Sequence, residues 1–249
     1  MAPPKQDLDR QLERQAAWLR ESYLWILNRS VLAGMPDGAA RPTALDVGCG
    51  PGHVMDILRT SLDVKGIDCD PDMVAASKAR TLDTRIAYAE ELPYRDDSFD
   101  LVYCSFLLLW VKDPSKVVRE MRRVARKWVI CLAEPDFGGR LDYPEELSGL
   151  RSLISDGIIE QGGDPNIGRK LRSHFSACEI ASEVGVHQGI WGIDRLAAES
   201  EDEWKWLEMS VKASAREKGL EGIKQAWRKA LIAGSLFQYN PIFYAIGRK

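Results

Sequence analysis

A glycine-rich turn between an apolar segment and a helical segment constrains this chain more than any other feature. The turn reads Asp-Val-Gly-Cys-Gly-Pro-Gly over residues 46–52. The apolar run Ala44–Val47 predicts a buried strand, and His53–Leu62 predicts a helix after the turn. Glycines allow positive φ and close approach of a ligand, and a helix start presents free N–H groups. The turn therefore predicts a site for an anion or a carboxylate.

Strand and helix patterns alternate through the first 135 residues. Further short apolar strands are predicted at 64–68, 85–88, 99–104 and 128–133. Asp70-Pro71 and Asp113-Pro114 each fit an N-cap followed by proline at the first helical position. This alternation predicts an α/β fold with a parallel sheet and helices on both faces.

The domain organisation changes after residue 135. We expect a helical segment over residues 1–40 that covers the site, and a single domain over 41–249. Helical insertions predicted at about 145–178 and 198–235 would form a lid. The Ser-Glu-Asp-Glu run at 200–203 predicts a capping box at the start of a helix. Strands are predicted over 180–186 and, at the end of the chain, over Phe237–Ile246.

Composition limits the class of partner. The chain has 249 residues, of which 29% are charged, and a net charge of -3. Such a balance gives no long-range attraction to nucleic acid or to an anionic membrane. Five cysteines without a CxxC pair, and three separated histidines, predict reduced thiols and no metal site. We therefore expect a cytoplasmic protein with no nucleic-acid partner and no membrane partner. The predicted helical lid over about 145–178 and 198–235 indicates a small or medium organic substrate.

An acidic residue at the end of the second strand narrows the ligand. Asp68 follows Asp46 by about twenty residues, the distance at which an acid accepts hydrogen bonds from ribose hydroxyls. The glycines are spaced GxGxG, whereas a dinucleotide site expects GxGxxG. Turn and acid together predict an adenosine ligand. An NAD-dependent oxidoreductase and a non-catalytic cofactor-binding module remain alternatives.

Several motifs occur in a fixed order along the first half of the chain. They are the segments 46–52, 66–73, 89–93, 97–102 and 111–121. Together they resemble successive motifs of the class I S-adenosylmethionine-dependent methyltransferases, nearest the ubiquinone and menaquinone C-methyltransferases. The resemblance covers about residues 40–135. It implies a Rossmann-like, doubly wound, seven-stranded sheet with an antiparallel last strand, and S-adenosylmethionine as the cofactor.

The resemblance also implies cofactor-binding roles for residues at the ends of the first four strands. The turn residues would meet the methionine part of the cofactor: Asp46, Gly48, Cys49 and Gly50. Asp68 would hold both ribose hydroxyls. The residues expected at the adenine are Cys69, Met73, Ala89 and Glu90. Ser105 and Phe106 would border the methyl group.

The substrate side is less constrained. Tyr88 stands where the family often has an aspartate for the adenine, and Trp110 where it often has a histidine. The candidates for the substrate pocket are Tyr23, Trp110, Glu134 and Tyr143. Glu134 or Asp136 could act as a base or position a substrate; alternatively, these acids organise their loop and pair with Arg140. The sequence assigns no catalytic residue.

Overall fold

The computed structural model describes residues 5–36, 38–189, 191–210 and 219–249. Within these ranges the strands are β1 (Thr43–Val47), β2 (Asp63–Asp68), β3 (Asp83–Ile86), β4 (Phe99–Ser105), β5 (Ala125–Pro135), β6 (Leu141–Tyr143), β7 (Ala181–Val186), β8 (Phe237–Tyr239) and β9 (Ile242–Arg248). The helices are α1 (Lys5–Arg29), α2 (His53–Leu58), α3 (Pro71–Ala79), α4 (Pro114–Val124), α5 (Gly149–Glu160), α6 (Ile167–Ala177), α7 (Ile193–Ser210) and α8 (Glu221–Ile232). Short 3-10 turns lie at Phe137–Gly139 and Glu145–Leu147.

Seven strands form one sheet in the order β3-β2-β1-β4-β5-β9-β7. The first five strands pair in parallel, whereas β9 pairs antiparallel with both β5 and β7. The predicted Rossmann-like sheet with an antiparallel last strand is therefore confirmed. The strand order reverses between β1 and β4, so the carboxyl ends of these two strands flank a crevice. Ligands of open parallel sheets bind at such a point.

Helices cover both faces of the sheet. On one face α1 packs through a fully buried row, Tyr23, Ile26 and Leu27, against β1, β4 and β5. On the other face lie α4 and α6, whose buried residues include Met121 and Phe175. Burial on both faces explains why the central strands lack polar alternation.

The two predicted Asp-Pro helix starts are confirmed. The Asp70 carboxylate accepts a hydrogen bond from the Asp72 N–H at the start of α3. At the start of α4 the Asp113 carboxylate does the same for the Lys116 N–H. Each side chain satisfies one free amide, and the proline that follows has no amide to satisfy.

The predicted last strand is wrong in extent. Residues 237–246 divide into β8, which pairs with β6 in a separate two-stranded sheet, and β9, which joins the main sheet. Pro241 lies at the break and has no N–H for a strand ladder. The carbonyl oxygen of Pro241 instead accepts a hydrogen bond from the Asp136 N–H, which aligns β9 with the end of β5.

The predicted capping box is also wrong. Helix α7 begins at Ile193, seven residues before Ser200, so the Ser-Glu-Asp-Glu run lies inside the helix. The Ser200 hydroxyl donates to the carbonyl oxygen of Ala197 rather than capping a free amide. The third strand also begins earlier than predicted, at Asp83, and leaves Tyr88 beyond its end.

A third apolar cluster lies apart from the two faces of the sheet. It joins residues of α5, α7 and α8, including Leu150, Trp204 and Trp227, and we call these three helices with the β6–β8 ribbon the cap. Helix α6, which falls within the first predicted insertion, packs on the sheet instead, through Leu171 and Phe175. No helix in the described part of the chain is long and apolar enough to cross a bilayer.

Candidate active site

The glycine turn after β1 requires its glycines for two physical reasons. Gly48, Gly50 and Gly52 have φ values of 74°, 53° and 91°, in the left-handed region that favours glycine. A Cβ atom at Gly48 would also lie 2.7 Å from Leu107 Cδ1. The N–H groups of Gly48 and Cys49 both donate to the carbonyl oxygen of Ile67, at 2.9 and 2.8 Å. The turn is thus fixed against the end of β2.

Asp68 is oriented by two backbone amides. Its Oδ2 atom accepts from the Gly50 N–H at 2.8 Å, and its Oδ1 atom accepts from the Asp70 N–H at 2.9 Å. Each carboxylate oxygen offers two acceptor sites, so each retains one for a further donor. The side chain is therefore held in a position where it can accept two hydroxyl groups at once.

A cleft of about 310 Å³ opens beside this carboxylate. Its lining comes from the ends of β1 and β2 and from the loops after β3 and β4: Gly48, Ile67, Asp68, Cys69, Ala87, Tyr88, Ala89, Glu90, Leu107, Trp110, Val111 and Lys112. Among the predicted cofactor residues, Gly48, Asp68, Cys69, Ala89 and Glu90 meet here. Trp110, which we expected on the substrate side, lies in the same cleft. Leu107 and Lys112 were not anticipated, because a loop position carries no periodic signal.

Asp46 lies beneath the turn rather than in the cleft. The side chain is buried, and its Oδ2 atom has no hydrogen-bond partner among the described residues. Burial raises the pKa of Asp46 to about 8, and the neighbouring Tyr103 hydroxyl opposes this rise. A buried acceptor without a donor is costly, so this oxygen fits a ligand that brings a donor group, such as an ammonium.

Other predicted residues lie around the cleft without lining it. Cys49 packs under the turn against Met55 and Leu82, and burial raises the pKa of its thiol. Met73 is half-buried on α3. Phe106 has a positive φ of 54°, a strained conformation for this residue that is typical of functional sites. The predicted roles of these residues stay predictions.

Tyr23 reaches the site from α1. Its hydroxyl and that of Ser105, at the end of β4, share a hydrogen bond of 3.0 Å. The tyrosine is fully buried, and burial raises the pKa of its hydroxyl well above the usual value. Helix α1 also contacts the start of α2, where His53 Nε2 lies 2.8 Å from Asp9 Oδ1.

The two acids at the end of β5, Glu134 and Asp136, have different surroundings. The Glu134 carboxylate is fully buried and accepts three backbone N–H groups, from Leu107, Leu108 and Leu109, at 2.9, 2.6 and 3.2 Å. Burial raises the pKa of Glu134 to about 8, and the three amides oppose this rise. The amides show that this acid organises a loop, although the loop is the one that follows β4.

The predicted pairing of these acids with Arg140 is wrong. Asp136 Oδ2 accepts from Arg169 Nε at 2.7 Å, whereas Arg140 pairs with Asp142 at 2.8 Å. The pattern misled because Arg140 lies immediately before β6 and pairs with Asp142 on that strand, where the Asp142 side chain is 1% exposed. Tyr143 is on the same strand with 59% of its surface exposed.

His187 is a site neighbour that the sequence did not indicate. Its Nε2 atom donates to the carbonyl oxygen of Leu132 at 2.7 Å, and its ring packs edge-on against Tyr23. The bonded Leu132 lies at an irregularity in the pairing of β5 with β9. Burial lowers the pKa of His187, which favours the neutral ring. His187 follows β7 and reaches Leu132 of β5 across β9, so only the pairing of these three strands brings it to the site.

Two cysteines and an acid lie together beneath the site. Cys104, Cys131 and Glu134 are buried, and their ligand atoms all lie within 4.8 Å of one another. The Glu134 oxygens already accept three amides, so only one acceptor site, on Oε2, is left for an ion. The absence of a metal therefore stays a prediction.

The fold is Rossmann-like, and the cleft lies where the sequence predicts an adenosine-containing ligand. Comparisons with known proteins indicate which class of protein this is. Residues 45–132 match the family model described as "Methyltransferase domain". A demethylmenaquinone methyltransferase of Halalkalibacterium halodurans is 36% identical over 103 residues, which cover 36% of this chain and 42% of that protein. An uncharacterized methyltransferase of Schizosaccharomyces pombe is 29% identical over 166 residues, covering 59% of this chain and 60% of that protein.

A solved structure shares the fold. Phospholethanolamine N-methyltransferase 2 of Haemonchus contortus matches with a TM-score of 0.60 at 16% identity, over 92% of this chain and 53% of that chain. The chain spans about half the length of the curated relatives it matches. The matched segment is similar to the class I S-adenosylmethionine-dependent methyltransferases, including the demethylmenaquinone methyltransferases. S-adenosylmethionine, the cofactor that the sequence predicts, fits the Asp46 oxygen that has no partner among the described residues and the remaining acceptor sites of Asp68.

Proposed function

We propose that this chain transfers the methyl group of S-adenosylmethionine to a small or medium-sized organic acceptor by direct displacement. The observation that carries the proposal is the hydrogen bond between Tyr23 and Ser105. It brings α1 across the carboxyl edge of the sheet, beside the end of β4. An edge covered in this way limits access to the end of β4, which suits a small acceptor better than a folded protein or a nucleic acid.

Ion pairs between α1 and the cap helix α7 support the same conclusion. Arg14 contacts Glu199 and Glu203 at 2.7 and 2.9 Å, and Arg10 contacts Asp202 at 2.7 Å. Lys205 of α7 contacts Asp7 of α1 at 2.6 Å. Because both helices must move together for the edge to open, the cover is shared between the start of the chain and the cap.

The proposed chemistry needs the protein mainly to align the acceptor with the cofactor and to exclude water. When bound, S-adenosylmethionine supplies a methyl group on a sulfonium, whose leaving group is a neutral thioether. A bond forms between the acceptor atom and the methyl carbon as the carbon–sulfur bond breaks, and the sulfur keeps that electron pair. A protonated acceptor also passes its proton to water. The chain would hold the two partners in line in a dry site.

The proposed site roles follow the contacts. Asp46 would pair with the methionine ammonium beneath the turn formed by Gly48, Cys49 and Gly50, and Asp68 would hold the ribose. We assign the adenine to Cys69, Met73, Ala89, Glu90 and, on the opposite wall, Trp110. Ser105 and Phe106 would border the methyl group, with Tyr23 facing the acceptor. The five free cysteines support a cytoplasmic location.

Two measurements test the proposal. Incubation with S-adenosylmethionine labelled in the methyl group and a fractionated metabolite extract should give S-adenosylhomocysteine and a labelled small molecule. A label found only in RNA or protein would contradict the proposed acceptor class, and no label at all would favour a non-catalytic module. Thermal shift separates the remaining alternative, because S-adenosylhomocysteine should raise the Tm and NAD should not.

A further inference from the structure

Three consecutive backbone amides after β4 point at one carboxylate. The N–H groups of Leu107, Leu108 and Leu109 converge on the two oxygens of Glu134, which lies at the end of the neighbouring strand β5. A concave set of successive amides is a common binding site for an external anion. Here the chain fills that site with its own side chain, which is fully buried.

The residues next to these amides form part of the cofactor site. Leu107 lies against Gly48 so closely that a Cβ atom on the glycine would clash with it, and both line the cleft. The Trp110 N–H donates to the carbonyl oxygen of Leu107 at 2.9 Å, which closes the turn and brings Trp110 to the same cleft. The position of the cleft wall therefore depends on this turn.

The same turn begins from a strained residue. Phe106 has a φ of 54°, and a non-glycine residue in this region persists only when its surroundings hold it there. On the far side of the turn, the carbonyl oxygen of Leu109 accepts from the Asp164 N–H at 2.8 Å, in the segment before α6. The amide contacts to Glu134 are central to what holds this turn in place.

We propose that Glu134 is a positioning residue, whose carboxylate holds the turn 107–109 against the glycine turn and thereby sets the affinity for S-adenosylmethionine. The side chain is fully buried and amides occupy three of its four acceptor sites, so we assign it a holding role and not that of the base. The proposal rests on the cofactor site and does not depend on which acceptor is methylated.

The variant Glu134→Gln tests the proposal. A glutamine keeps the shape but has one oxygen, so its NH2 group would face the Leu109 N–H, donor against donor. At about pH 9, above the pKa of Glu134, the wild-type side chain is ionised. Under this condition, and well below the Tm of the variant, we expect titration calorimetry to show that S-adenosylhomocysteine binds the variant roughly tenfold more weakly. Asp100→Asn is the matched control. Asp100 also accepts a backbone amide, from Thr43, but lies at the amino ends of the parallel strands, away from the cleft. The Asp100→Asn substitution should therefore leave the Kd for S-adenosylhomocysteine unchanged.

A second variant and a second measurement distinguish the proposed role of Glu134 from a simple loss of folding. Glu134→Asp keeps the charge but is one methylene shorter, and should weaken binding by less than Glu134→Gln. In the wild type, hydrogen exchange at the amides of residues 107–109 should be as slow as in the core of β4. Fast exchange at these amides would overturn the proposal. So would unchanged S-adenosylhomocysteine affinity with a collapsed kcat, since that result describes a base.

Discussion

The hydroxyl group of Tyr23 lies 3.0 Å from that of Ser105, although 82 residues separate them along the chain. This contact ties the middle of α1 to the carboxyl end of β4, where the cofactor's methyl group is expected. It gives the N-terminal helix a defined place over the site. The proposal of a covered acceptor site therefore depends on a contact between two side chains that can be removed one at a time.

A double-mutant cycle measures this contact. Tyr23→Phe and Ser105→Ala should each lower the free energy of unfolding by about 0.5–1.5 kcal/mol, the usual net value of one hydrogen bond. The double variant should cost less than the sum of the two, because the second change removes no further bond. Urea unfolding measures all three variants. Strict additivity would show that the hydroxyls do not interact, and would remove the main support for a closed edge.

Asp68 gives a prediction about the cofactor alone. Asp68→Asn removes one charged acceptor, and we expect the binding of S-adenosylhomocysteine to weaken by about 1.5–3 kcal/mol, since hydrogen bonds to charged groups have that magnitude. Titration calorimetry measures the loss. Asp70→Asn is the control, because asparagine is also a good N-cap and Asp70 does not line the cleft. Equal losses in the two variants would contradict a ribose role for Asp68.

The local parts of this site could be predicted from the sequence, and the parts made by strand register could not. The glycine turn, Asp68 and the two Asp-Pro helix starts depend on neighbouring residues, so short patterns were enough. The three amides on Glu134 come from a loop 25 to 27 residues away and exist only once β4 lies beside β5. His187 reaches Leu132 across 55 residues, at an irregularity that no periodicity indicates.

The fold shows the same division. Alternating strand and helix patterns predicted the succession of strands and helices along the first 135 residues, since each pattern reflects burial of its own residues. The last strand was predicted as one segment because Phe237–Tyr239 and Ile242–Arg248 are both apolar-rich. Their separation depends on Pro241 and on the partner that β8 finds in β6. The Ser-Glu-Asp-Glu run inside α7 misled for a related reason. Packing allows the helix to begin at Ile193, upstream of this local start signal.

Asp46 makes cofactor binding depend on pH. Its folded-state pKa is raised by burial to about 8, so the carboxyl is protonated in the free protein near neutral pH. Pairing with a ligand ammonium requires the proton to leave, so affinity should rise with pH by up to about tenfold per unit below pH 8. Titration of S-adenosylhomocysteine between about pH 6 and 7.5 checks the slope. Asp46→Asn should flatten it while Asp68→Asn keeps it; a flat wild-type profile would contradict the ammonium role.

The contact between α1 and the cap gives a prediction that compares two arginines of one helix. Arg14 is 13% exposed and contacts Glu199 and Glu203, whereas Arg10 is 62% exposed and, among the described residues, pairs with Asp202. Removal of a largely buried partner leaves acids without their counter-charge, so Arg14→Ala should lower the free energy of unfolding by about 2 kcal/mol. Arg10→Ala should change it by less than about 0.5 kcal/mol, as exposed ion pairs do. Urea unfolding at low and high salt measures both variants, and the small Arg10 effect should vanish at high salt because exposed pairs are screened. If the two variants proved equally stable, α1 would not be held to the cap by Arg14, and the shared cover over the site would have to rest on its apolar contacts.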